Sequence, residues 1–205
     1  MKSKMEQRSE ETKKLILESA AKLFAKKGYD AVTIREIAKD AGCSHTTIYL
    51  YFKDKETLLH ELSVPSLQEL HHKLKVISKV DSLSADIKLK ELSLEYISFC
   101  LKNRSMYDVF FNAKSSRVDE KPELHINQLR IEIFELLKSV IEENLSISDD
   151  EQLLAFSRIF YYQLNGVLST YSYQHEPLEV LMERLKPTFN LAIDILLLGF
   201  QEKLK

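Results

Sequence analysis

Apolar residues in this chain recur at three- and four-residue spacing, and long stretches pass without glycine or proline, which is the pattern of helices rather than strands. Ile16, Ala20, Leu23 and Phe24 form one stripe and predict a helix from Ser9 to Lys27, stopped at Gly28. Thr33 stands three residues before Glu36, a capping-box start, and Ile34, Ile37, Ala38 and Ala41 then share one face up to Gly42. Ser44 can cap a third, short helix in which Ile48 and Phe52 point inward. Asp54 can cap a fourth, whose Leu58, Leu59 and Leu62 would pack back onto the first three. Pro65 should kink or break that helix near Ser63, because it cannot bond the Glu61 carbonyl and crowds the previous turn. Further on, the periodicity predicts helices near 84–102, 104–112, 122–144, 149–173 and 178–202. Pro122 and Pro177 suit first-turn positions. Pro187 should divide the last span into a short leading helix and the apolar segment LAIDILLLGF, while AKSSRVDEK reads as a polar loop.

Composition supports an all-α fold. Four glycines and four prolines in 205 residues leave little turn chemistry for a sheet protein, and 44% apolar residues are enough to fill a core. The two cysteines, Cys43 and Cys100, are far apart and have no metal-type spacing, so a reducing cytoplasm is the simplest setting. The opening MKSKMEQRSEE has no signal-peptide core, and the apolar run Ile195–Phe200 is too short to span a bilayer. The expectation is a soluble, cytoplasmic protein without a membrane partner.

Net charge changes the picture once it is located. The whole chain carries −2, yet residues 1–60 hold 12 basic and 9 acidic side chains, a local +3, against 17 and 22 in the remainder. Neutralising phosphates needs local positive charge, so the asymmetry favours the N-terminal segment as the part that meets nucleic acid. In the short third helix the inward Ile48 and Phe52 leave His45, Thr46, Thr47, Tyr49 and Tyr51 outside. A face of imidazole, hydroxyls and phenols can donate to and accept from phosphates and base edges.

The stretch IREIAKDAGCSHTTIYLYFKDKETLL resembles the DNA-binding signature of the TetR family of bacterial transcriptional regulators, and the likeness extends back through Ile16, Ala20, Leu23, Phe24 and Gly28. It implies a three-helix, helix-turn-helix domain over residues 1–60 and a helical ligand-binding and dimerisation domain over 61–205. Carried over by motif position, Thr33, Arg35, Ser44, His45, Thr46, Thr47, Tyr49, Tyr51 and Lys55 are the DNA-binding candidates. Among them Thr47, Tyr49 and Lys55 are expected on phosphates, and Arg35, His45 and Thr46 on bases. Cys43, His45 and Thr46 depart from the family's usual small or polar residues, which bears on the operator sequence. Most members are repressors, so the implied function is a repressor released from a palindromic operator by a small apolar molecule. The alternatives are a helical small-molecule carrier that never touches DNA, and a regulator of the same family acting as activator or with a corepressor.

The larger C-terminal part is rich in aromatics. Most must be core, but together with resemblance they nominate Tyr96, Phe99, Cys100, Phe110, Phe134, Phe156, Phe160 and Gln163 as lining an effector pocket. Ile193, Leu196, Leu197 and Phe200, with residues between Leu153 and Leu168, offer a four-helix homodimer interface. Catalysis is not expected: the chain has no glycine-rich phosphate loop, nucleophile elbow or zinc helix. His71 and His72 are adjacent and project apart, and His60 is about three turns from His71, so neither a metal site nor a cofactor is expected.

Overall fold

Two glycines in the left-handed region set the first boundaries of the fold. The computed structural model describes residues 4–113, 124–171 and 176–205. Helix α1 spans Lys4–Lys27 and ends where Gly28 adopts φ +81°. Helix α2 spans Ile34–Asp40, is followed by Gly42 at φ +69°, and leads to α3, His45–Tyr51. A side chain at either glycine would be strained by the backbone conformation itself. Next come α4 (Lys55–Ser78), α5 (Ala85–Lys102), a 3₁₀ turn (Arg104–Met106) and a π turn (Asp108–Asn112). Then follow α6 (His125–Leu145), α7 (Asp150–Tyr171) and α8 (Leu178–Lys203). No strand occurs among the described residues, so the chain is all-α. None of the described helices is long and apolar enough to cross a membrane.

Several boundaries differ from the sequence expectation. Helix α1 starts at Lys4 rather than Ser9, because KMEQRSE is a run of helix formers with Glu6 in the first turn. Lys4 and Arg8 are therefore helical. Pro65 does not break α4, and Pro187 does not divide α8; both helices run through them. Both prolines are exposed, so the carbonyls they leave unbonded lie on the watery side of the helix. The span 104–112 is a 3₁₀ turn followed by a π turn. Val109, Phe110 and Phe111 are all buried there. The expectations for Pro122, most of the AKSSRVDEK loop and the ends of the helices near 122 and 173 fall outside the described residues.

The chain divides into two compact units. Of the described residues, one unit holds those up to 67 and those of 105–128; the other holds those of 68–104 and 129–205. In the first, α2 packs on α1 and α3, and Ile16, Ala20, Phe24, Ile37, Ile48, Phe52, Leu58 and Leu59 are fully or almost fully buried. In the second, α5 packs against α7 and α8. Ten of the 18 residues of α5 are buried, which makes it the central helix there. Three of the buried polar side chains have identified partners. Ser93 and Ser157 each donate to the carbonyl four residues back, at 2.6 and 2.7 Å, and the buried Lys88 ammonium meets Glu143 at 3.0 Å.

Candidate nucleic-acid interface and C-terminal core

The helix-turn-helix is held by side chains that leave its outer face free of structural duty. Thr33 caps α2 reciprocally: its Oγ1 accepts from the Glu36 amide at 3.3 Å while its own amide donates to Glu36 Oε2 at 2.9 Å. Lys27 then donates to the other Glu36 oxygen at 2.7 Å, and Lys22 meets Asp40 at 2.7 Å, so two ion pairs bind α2 to α1. The hydrogen bond from Lys27, followed by those from Thr33, lowers the Glu36 pKa from the ordinary 4.5 to about 2. Ser44 caps α3, accepting from the Thr47 amide at 3.0 Å and sharing a hydrogen bond with the Thr47 hydroxyl at 2.8 Å. At the start of α4, Asp54 Oδ1 accepts from the Thr57 amide at 2.8 Å, and Lys13 of α1 meets Glu61 of α4 at 2.8 Å.

With the frame fixed in this way, the candidate DNA-binding residues sort by exposure. Thr33, Arg35, Ser44, His45, Thr46 and Tyr49 are exposed, Tyr49 by 53%; Thr47, Tyr51 and Lys55 are half-buried. His45, Thr46 and Tyr49 thus form the outer face of α3, opposite the fully buried Ile48. Thr33, Ser44 and Thr47 already spend hydroxyl capacity on caps. The Lys55 ammonium lies inward. It donates to the carbonyls of Tyr29, Asp30 and Val32 at 3.0, 3.4 and 3.0 Å and sits 4.3 Å from the centre of the Tyr29 ring. One residue of this face was missed from sequence. Leu50 is 80% exposed, and its position between Tyr49 and Tyr51 on a helix with inward Ile48 was the available signal.

Of the effector candidates, Tyr96, Cys100 and Phe134 are linked to one another or through Tyr161. Tyr96 and Tyr161 hydroxyls meet at 3.3 Å, their rings are 6.1 Å apart, and Phe134 meets Tyr161 edge-on at 5.9 Å. Cys100 is hydrogen-bonded with Tyr96, and burial pushes its thiol far above the ordinary range. Burial also raises Tyr161 and lowers the nearby Arg130 guanidinium to about 10. Phe156 stacks on Phe200 at 4.4 Å, and Phe99, Phe110 and Phe160 are buried. Gln163 Oε1 is buried without a hydrogen-bond partner. A groove of about 300 Å³ in the second unit has a different lining: Ile77, Glu91, Leu94, Glu95, Ser98, Met182, Glu183 and Lys186. Sequence reasoning missed it because Glu91, Leu94, Glu95 and Ser98 make a mixed face of α5 that reads as solvated surface.

The proposed dimer stripe is corrected by burial. Ile193, Leu197 and Phe200 are only 2%, 5% and 6% exposed within the protomer, and Leu196 is half-buried, so these residues belong mainly to its own core. The outward apolar face of α8 is Leu191, Ile195 and Leu198, at 58–65% exposure, and that of α7 is Ile159 and Tyr162. Periodicity alone does not say which apolar stripe of α8 packs within the chain and which faces outward.

An all-α chain whose first unit presents a capped, seven-residue helix behind a tight turn is a helix-turn-helix protein. The sequence model described as bacterial regulatory proteins, tetR family, matches residues 16–62. Residues 16–62 thus carry a domain of the type that this family's model describes. The HTH-type transcriptional regulator YuxN of Bacillus subtilis is 51% identical over 49 residues, covering 24% of this chain and 17% of the relative. The fatty acid metabolism regulator protein of the same organism is 27% identical over 135 residues, 65% of this chain and 62% of the relative. This chain thus spans less than two thirds of the length of these curated relatives. The transcriptional regulator FadR from Bacillus subtilis, solved in complex with stearoyl-CoA, shares the fold with a TM-score of 0.63 at 20% identity, over 87% of this chain and 96% of that one.

Proposed function

We propose that this protein is a dimeric, ligand-responsive transcriptional regulator of the cytoplasm, a repressor that binds a two-fold operator in double-stranded DNA. The observation that carries the reading is the outer face of α3. His45, Thr46 and Tyr49 are exposed on a helix whose caps and inward face are already satisfied, so their polar groups are available to a groove. Arg35, His45 and Thr46 read bases, and Tyr49 and Thr47 position the chain on phosphates. Residues 1–60 carry the DNA-binding role and 61–205 the effector and dimer roles. Leu191, Ile195 and Leu198, with Ile159 and Tyr162, supply the apolar face that a second copy covers in a two-fold, self-complementary contact. No catalytic role is assigned.

The effector is a small, largely apolar molecule held in the second unit. Support comes from the aromatic set around Tyr96, Phe134 and Tyr161, the unpartnered Gln163 oxygen, and the relatives whose names point to fatty acid metabolism and to stearoyl-CoA. Selection of bound duplexes from a random pool by the full chain tests the reading, followed by titration of the selected complex with stearoyl-CoA and with free stearic acid. A palindromic motif with half-sites roughly 34–36 Å apart, or a multiple of that, is the expected result. Release by either probe marks a repressor with an acyl effector. Tighter binding marks corepression, and a pool that never enriches favours a carrier without DNA.

A further inference from the structure

Lys55 opens α4, and its side chain is turned back into the loop that joins α1 to α2. Its ammonium has three N–H donors, and three carbonyl oxygens, those of Tyr29, Asp30 and Val32, lie within hydrogen-bond distance at 3.0, 3.4 and 3.0 Å. The same charge sits 4.3 Å from the centre of the Tyr29 ring, a cation–π contact. Tyr29 is itself buried, packs on Phe24 at 5.2 Å, and has its hydroxyl pushed up to about 12 by burial and then by Glu56, Asp30 and Asp54. The loop ends at Thr33, the residue that caps α2. A short chain of contacts therefore runs from the end of α1, through the loop, to the first turn of α4, and it closes immediately before the helix-turn-helix.

Resting on the DNA-binding reading above, we propose that Lys55 is a positioning residue: its ammonium fixes the 29–32 loop and the cap of α2, and so sets how α3 is presented, without itself touching a phosphate. A compact ammonium suits this task because three carbonyls converge on one point. The planar fork of an arginine does not reproduce that geometry, although it serves a phosphate at least as well. To reach DNA, Lys55 would have to abandon all three carbonyls, leaving their oxygens without this donor beside the buried Tyr29.

The two roles separate in the salt dependence of binding. Removing one phosphate-binding side chain lowers the slope of log affinity against log salt by about 0.9 on duplex DNA. For Lys55→Met, which keeps the stem and removes the charge, the expected result is roughly tenfold weaker operator binding, the order of one charge-assisted hydrogen bond, with the slope unchanged. For Lys55→Arg the same weakening is expected, again at constant slope. Amide hydrogen exchange in the DNA-free protein should accelerate over residues 29–36 in both variants. A slope reduced by about one in Lys55→Met, with full affinity retained in Lys55→Arg, would overturn the proposal and make Lys55 a phosphate-binding residue. Exchange at 29–36 that does not change in either variant would also overturn it. Failure of the wild-type chain to bind any duplex would sink the DNA reading instead, while the exchange measurement still decides the strut.

Discussion

Glu36 serves three partners at once: the amide and hydroxyl of Thr33 and the ammonium of Lys27. Because its folded pKa is depressed to about 2 from 4.5, its contribution to stability is fully present above about pH 4.5 and is lost as pH falls through about 2. Urea unfolding across that window should therefore show a wild-type advantage over Glu36→Gln that shrinks on acidification; a constant gap would contradict the cap. At the next helix, Ser44→Ala should cost about 1 kcal/mol of stability, read by thermal unfolding, the usual worth of an N-cap, because the Thr47 amide loses its acceptor. On the proposed reading, selectivity belongs to the exposed positions. His45→Ala should relax preference at one operator position, whereas Tyr49→Phe should weaken binding to all sequences alike. Binding-site profiles of both variants check this, and an unaltered His45→Ala profile removes His45 from base reading. The capping residues Thr33, Glu36 and Ser44 were legible from sequence because a cap is a local pattern of residue type and spacing. The direction of Lys55 was not, because its partners are the carbonyls of residues 23–26 positions earlier, which side-chain chemistry alone does not announce.

Helices were legible where period and breakers agreed, and a break was misplaced where a proline was judged without its exposure. Pro65 and Pro187 sit on the outer faces of α4 and α8, so the missing hydrogen bond is left to solvent and each helix continues. The same missing information affects the last helix. Ile193, Leu197 and Phe200 and the parallel stripe Leu191, Ile195 and Leu198 have similar apolar character, and only packing within the protomer assigns the first to the core. The two stripes predict different behaviour. Leu198→Arg should leave the melting temperature of the protomer nearly unchanged, shift the sedimenting species from dimer to monomer, and reduce operator affinity. Leu197→Arg should unfold the second unit, since it buries a charge without a partner. A Leu198→Arg protein that remains dimeric would move the interface off this face.

For the molecule as a whole, the weak net charge conceals two populations, a basic N-terminal segment and an acidic remainder, and the helix-turn-helix lies in the basic one. An effector held in the second unit regulates DNA only if it discriminates between conformations, typically by about 1–3 kcal/mol, which corresponds to roughly 5–150-fold in operator affinity. The central claim is that the face of α3 reads a sequence. Affinity for the selected palindrome and for a shuffled duplex of equal length and composition, each measured between about 50 and 200 mM salt, tests it most directly. Both affinities should fall with salt, and the palindrome should remain on the order of 10³-fold or more tighter than the shuffled duplex throughout. Equal affinities for the two duplexes at every salt concentration would contradict the account.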